Sequence, residues 1–178
     1  MRIILEDPCE RDIFHPGERA AQRRFGVEAE AREMKGTIGD RLSAGQARFI
    51  ASQPFFFLSV QDDGDAIHTQ MLACAQTAQG CYPLLAFGDA QTFFFLLLEN
   101  EGRRLLQLTH QNGCQAGMIF VDFARGARFR VNGELRQAAG EALPDFQRPA
   151  GYRLMEMRVA QAYANCGTRI VRLKKNAG

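Results

Sequence analysis

Two arginine constellations carry most of the chemistry this sequence can offer. The first is Leu96-Leu97-Leu98-Glu99-Asn100-Glu101-Gly102-Arg103-Arg104, an apolar run that passes through an acidic turn into a glycine and two arginines. If a buried strand runs there directly into a helix, exposed amides, the helix dipole and two guanidiniums can converge on one anion, and a phosphate would fit. The alternative is a pair of solvated arginines at a helix start. Cations at that end oppose the dipole and so invite an explanation, and the sequence alone leaves both readings open. The second constellation is Arg128-Phe129-Arg130-Val131-Asn132-Gly133. Strand side chains alternate, so Arg128, Arg130 and Asn132 share one face while Phe129 and Val131 share the other. Spacing alone favours a half-exposed strand with solvated arginines; contact with a phosphate or the polar edge of a ligand ring is the sharper alternative.

Other chemistries find little support. Ser43, Ser52 and Ser59 are the only serines, and none sits in a nucleophile elbow. His68 and His110 have no acid that sequence alone pairs with them, and neither receives an acid/base role. There is no glycine-rich dinucleotide fingerprint and no Walker loop. The five cysteines, Cys9, Cys74, Cys81, Cys114 and Cys166, form no close pair in sequence and leave one over in any disulfide scheme, which suits a reducing compartment. They lack the clustered His and Cys spacing of a zinc site, and Cys74, Cys114 and Cys166 read as small core-filling residues. No metal is expected.

Charge is unevenly spread. Residues 49–102 contain no Lys or Arg and six acids, whereas residues 103–178 contain thirteen basic residues, eleven of them Arg, against five acids. Nucleic-acid surfaces favour Lys-rich clusters with interleaved aromatics, and dispersed arginines suit discrete anion contacts better, so no nucleic acid is expected as a partner. The longest apolar runs, Phe55 to Val60 and Thr92 to Leu98, fall far short of the roughly 20 residues that cross a bilayer. The amino terminus turns acidic at Glu6-Asp7 and does not read as a secretory signal, so a cytoplasmic protein without membrane contact is expected.

The elements that must position the arginines are mostly strands. Residues 1–40 read as a helical arm opening at His15-Pro16-Gly17-Glu18 and running through Met34, with too few large apolar residues to bury itself. Residues 41–178 read as one globular domain. Ser43-Ala44-Gly45-Gln46 is a capping box for a helix that stops at Pro54. Strands are predicted at Phe55 to Val60, Ile67 to Cys74, Tyr82 to Phe87, Thr92 to Leu98, Gly117 to Phe123, Ala127 to Ala138 (bent or bulged), Leu154 to Ala162 and Arg169 to Leu173. One short helix is predicted at Gly102 to Gln111, stopped by Asn112-Gly113. So many antiparallel strands with one inserted helix suggest a closed barrel, which leaves no exposed sheet edge.

Several segments, taken in order from about Phe14 to Leu173, resemble the pyridoxamine 5′-phosphate oxidase-related family of FMN-binding split barrels in its longer form with an N-terminal arm. They are Phe14-His15-Pro16-Gly17-Glu18 with Ala21-Gln22-Arg23, the lead-in Gln46 to Val60, Arg130-Val131-Asn132-Gly133, and Gln161-Ala162-Tyr163-Ala164-Asn165-Cys166. The resemblance implies a mainly β fold, a six-stranded antiparallel split β-barrel with a few short helices. It also implies FMN as cofactor and a homodimer with the flavin site at the subunit interface. It carries a cofactor-facing role to Thr69, Gln70 and Met71, a phosphate-binding role to Arg103 and Arg104, and second-rank contacts to Arg128, Arg130 and Asn132. The function it implies is an FMN-dependent oxidoreductase moving electrons between a nicotinamide or small organic donor and an acceptor; its catalytic residues and substrate are not assigned. A second reading, a flavin- or haem-binding carrier or sensor without turnover, rests on Cys74 to Pro83, which differs from the glycine-rich loop of the family's close members.

Overall fold

The computed structural model describes residues 13–78, 80–110, 113–139, 143, 146, 148–165 and 170–173. Two helices open it, α1 (Pro16–Phe25) and α2 (Glu28–Lys35), and neither buries a residue. His15 caps α1: its Nδ1 accepts from the Gly17 amide at 3.1 Å, while Glu18 Oε2 accepts from the His15 amide at 3.0 Å. The predicted single helix through Met34 is broken because Gly26 takes a left-handed φ of 64°, a conformation that costs glycine little and ends a helix. The chain then docks: the Gly39 and Ala162 amides donate to each other's carbonyl oxygens at 3.1 and 2.7 Å, and Ile38 and Leu42 are buried.

The expected capping box forms at α3 (Ala44–Ala51), where Ser43 Oγ accepts from the Gln46 amide and Gln46 Oε1 from the Ser43 amide. The remaining elements are β1 (Phe55–Gln61), β2 (Ile67–Ala73), β3 (Gln76–Thr77), β4 (Gly80–Cys81), β5 (Ala86–Phe87), β6 (Thr92–Leu98), α4 (Arg103–Leu108), β7 (Cys114–Asp122), β8 (Ala127–Gln137) and β9 (Tyr152–Asn165). Seven strands form one antiparallel sheet in the order β2-β1-β7-β8-β9-β6-β5, and β3 and β4 form a separate ribbon.

This corrects the predicted closed barrel. The sheet ends at β2 and β5 and is split, although it curls strongly: the rings of Phe56 on β1 and Phe95 on β6 are 5.3 Å apart, whereas four strand spacings along a flat sheet would separate them by about 19 Å. Its concave side encloses one core that takes Phe56, Leu58, Phe93, Phe95, Leu97, Met118, Phe120, Val131, Leu135, Met155 and Met157. The inserted helix α4 seals it with Leu105.

Other boundaries shift for identifiable reasons. The strand predicted from Tyr82 is irregular until β5, because Tyr82 donates its amide to Ala75 as an extension of the ribbon. The helix predicted over Gly102 to Gln111 has six residues, and Gln111 and Asn112 lie outside the described residues. Ile170 to Leu173 form no strand, although the Leu173 amide donates to the Phe123 carbonyl; Arg169 lies outside the described residues. The strand predicted over Ala127 to Ala138 as bent or bulged does meet an irregularity, but the extra residue is on its partner β9. Asn132 pairs with Gln161 but Gly133 pairs with Val159, leaving Ala160 as the extra residue of a bulge on β9. A Cβ at Gly133 would run into the carbonyl oxygen of Arg158, so glycine is required where the two backbones close up.

Candidate functional site: the edge strand and the outer sheet face

The β1–β2 hairpin builds a polar hub at its turn. Asp62 folds back over the turn, its Oδ1 accepting from the Gly64 and Ala66 amides, each at 3.0 Å. Its Oδ2 meets His68 Nε2 at 2.8 Å and accepts from an Arg104 terminal nitrogen at 2.7 Å. His68 and Arg104 together hold the Asp62 carboxyl well below the usual carboxylate range, helped by the turn amides. The hub ties the start of β2 to the first turn of α4.

Immediately beside it, Arg104, Glu101 and Leu105 from the α4 end and His68, Thr69 and Gln70 from β2 line a cleft of about 380 Å³. Three of the residues singled out from the sequence therefore converge here: Thr69, Gln70 and Arg104. Arg103, exposed at the first position of α4, is not in the lining. The cleft exists because β2 is an edge strand with one side free of sheet pairing and α4 lies alongside it.

Met71 belongs to a different surface. Antiparallel partners place their side chains on the same face, so register defines rows across the convex side of the sheet. One row is Met71, Phe57, Ile119, Arg130 and Tyr163; the next is Thr69, Ser59, Gly117, Asn132 and Gln161. The Thr69 and Ser59 hydroxyls are 2.8 Å apart, and Asn132 Nδ2 donates to Gln161 Oε1 at 3.0 Å. Between them Gly117 gives the Asn132 side chain room, since a Cβ there would approach Asn132 Oδ1 to 3.2 Å. The face is apolar toward β2, with Met71 57% and Ile67 72% exposed, and polar toward β8 and β9.

Arg128, Arg130 and Asn132 do share this outer face, while Phe129 and Val131 are buried. Arg128 pairs in register with Asn165, and among the described residues Arg128 Nε and Asn165 Oδ1 are buried without a hydrogen-bond partner. The β8 set does not meet the cleft set: β1 and β7 separate them, a span of about 14 Å between β2 and β8.

The structure pairs His68 with Asp62, an acid that sequence alone did not assign to it. The signal was available: a hairpin that pairs Val60 with His68 brings an acid opening the turn back beside the second residue of the next strand. A second feature without a sequence signal is a recess of about 400 Å³ where Asp40, Gln115, Glu134 and Arg158 meet beside the β9 bulge. Its residues come from four distant segments and only the fold assembles them.

No family model and no curated protein matches the chain. Among solved structures it is similar to the General Stress Protein 26 of Bacillus anthracis str. Sterne, with 12% identity over 66% of this chain and 88% of that one, at a TM-score of 0.47. It is similar to a protein of Clostridium acetobutylicum related to general stress protein 26 and described as of the pyridoxinephosphate oxidase family, with 11% identity over 68% and 85% of the two chains and a TM-score of 0.46. It is also similar to HupZ of Group A Streptococcus, with 16% identity over 77% and 99% and a TM-score of 0.46. The solved proteins it is similar to thus include pyridoxamine 5′-phosphate oxidase-like and general stress protein 26 chains, all at low identity.

Proposed function

We propose that this chain is an FMN-binding flavoprotein, an oxidoreductase of the cytoplasm that works as a homodimer. The observation that carries the reading is the cleft beside β2, where Arg104, Thr69 and Gln70 come together. A guanidinium offers five N–H donors, and only one terminal nitrogen of Arg104 is committed to Asp62, so others remain for a phosphate monoester. Asp62 and Glu101 border the same guanidinium, so the second negative charge of a phosphate depends on uncharged donors; the Gln70 amide is on the His68 side of β2, while the Thr69 hydroxyl stands on the outer face with Ser59. The donor set fits a phosphate on those terms.

The outer face suits the rest of the cofactor. Met71, Phe57 and Ile119 form an apolar row on which a flat ring can lie, with Arg130 and Asn132 at its polar end. When bound, FMN supplies the electron-accepting ring chemistry; the chain's residues bind it, orient it and exclude water. The exposed Ile67 and Met71 and the two helices of the arm, which bury nothing within one chain, are the surfaces a second copy would cover. Residues 1–40 then serve as the dimer arm and residues 41–178 as the flavin domain.

The purified protein is expected to show the visible absorbance of bound flavin, or to acquire it on adding FMN. A colourless protein that leaves added FMN free would sink the proposal. Reduction of the bound flavin by NADH or NADPH, followed by reoxidation by an added acceptor, separates an oxidoreductase from a carrier.

A further inference from the structure

We infer that His68 takes up a proton at Nδ1 when a phosphate monoester enters the cleft beside β2, so that the site gains a second cation in the bound state and selects a doubly charged phosphate. The inference rests on the flavin reading above and adds to it the group that meets the second phosphate charge.

The hydrogen bonds around Asp62 fix where the proton of the neutral His68 ring lies. Asp62 Oδ1 accepts from the Gly64 and Ala66 amides, and Oδ2 accepts from an Arg104 terminal nitrogen at 2.7 Å. Together with the His68 contact, these donors keep Asp62 ionised far below neutral pH. An ionised carboxylate can only accept, so at the 2.8 Å contact the imidazole Nε2 is the donor. The other nitrogen of the neutral ring is then a bare acceptor. Nδ1 has no hydrogen-bond partner among the described residues.

A phosphate dianion reverses what the cleft needs. His68, Gln70, Glu101 and Arg104 line it together. His68 and Gln70 stand on the same side of β2, about 7 Å apart along the strand, so a phosphate that reaches the Gln70 amide also faces the imidazole. With His68 neutral, the charged groups about it leave one net negative charge: Asp62 from the turn and Glu101 before α4 outnumber Arg104. A dianion arriving there meets a nitrogen lone pair and a net repulsion. One proton from solvent, added at Nδ1, turns that nitrogen into a donor and cancels the excess. Asp62 stabilises the imidazolium through Nε2, so the charged ring keeps a hydrogen bond at each nitrogen, one to the carboxylate and one to a phosphate oxygen. Carboxylates and guanidiniums hold their charges between about pH 7 and pH 8, whereas an imidazole can change its charge there.

Calorimetric titration of the full chain, freed of flavin, with FMN at pH 7.5 tests this. Free FMN is already a dianion there, because a phosphate monoester loses its second proton at about pH 6. Two buffers of different ionisation enthalpy count the protons bound, and about one per FMN is expected. The dissociation constant should rise at least threefold from pH 7 to pH 8, toward the limit of about tenfold for one full proton. In His68→Gln, which keeps a donor for Asp62 but cannot titrate, the uptake should vanish and the constant should change by less than about twofold. Riboflavin, which lacks the phosphate, should bind without proton uptake. Nitrogen NMR of labelled histidine needs no variant: the neutral His68 ring should be the Nε2–H tautomer, and the ring facing bound FMN should carry both protons. FMN binding without proton uptake, uptake that persists in His68→Gln, equal uptake with riboflavin, or a neutral ring beside bound FMN would each overturn the inference and leave the flavoprotein reading standing. A protein that binds no FMN at any pH removes both.

Discussion

The contrast between Arg103 and Arg104 is the sharpest check on the proposed phosphate site. The sequence presents them as a pair, whereas only Arg104 faces the cleft. A hydrogen bond to a charged group contributes about 1.5–3 kcal/mol. Arg104 is 52% exposed and already shares charge with Asp62, so solvent and the competing carboxylate reduce its share to about 1–2 kcal/mol. Arg104→Ala should therefore weaken FMN binding by about 5- to 30-fold, and Arg103→Ala by less than about threefold. Asp62→Asn supplies the third arm: it removes the carboxylate beside the guanidinium while preserving much of the turn, and affinity should rise or hold. Quenching of flavin fluorescence on titration with apoprotein measures all three. Equal losses in Arg103→Ala and Arg104→Ala, or no loss in Arg104→Ala, would refute the placement of the phosphate beside β2 even if FMN binds elsewhere.

Three further outcomes are expected. Arg136 donates from Nε to the buried carboxylate of Glu156 at 2.9 Å; Arg136→Ala strands that carboxylate and should lower stability by about 1–3 kcal/mol in denaturant unfolding, the lower end reflecting the half-exposed arginine. Because the Asp62 carboxyl is held below its ordinary range, its share of stability is complete above about pH 4, where an unfolded carboxyl is ionised, and is lost as pH falls toward the depressed value; thermal melts across acid pH should show this loss, and Asp62→Asn should flatten it. Met71→Asp, placing a charge on the exposed apolar end of the outer face, should weaken a homodimer about a hundredfold in sedimentation, and an unchanged association would exclude that face as the interface.

Local patterns carried much of this fold. Phe56, Leu58 and Val60 alternate with less buried neighbours, and the run from Phe93 to Leu97 is buried on both faces, as periodicity and continuous apolarity require. The predicted capping box formed at Ser43 and Gln46, and the structure adds one at His15 and Glu18. The misjudged features depend on long-range pairing. Whether the sheet closes is settled by what β2 and β5 pair with, and no local window contains that information. The β3–β4 ribbon is two residues a side, too short to leave a period. The alternation of Arg128, Arg130 and Asn132 was readable because it is local. The reach of Arg104 to Asp62 spans 42 residues and was not.

The features of functional interest cluster on β2, and the reason is physical. An edge strand has one side free of sheet pairing, which gives a ligand access to its backbone and side chains but leaves it less restrained than an interior strand. Here the start of the strand is held by Asp62, which binds the turn, His68 and Arg104 together. Its middle is pinned by the Ser59–Thr69 hydroxyl contact, and its end leads into the β3–β4 ribbon. Side-chain devices thus replace the missing neighbour strand at its start and middle while Thr69 and Gln70 stay open to the cleft.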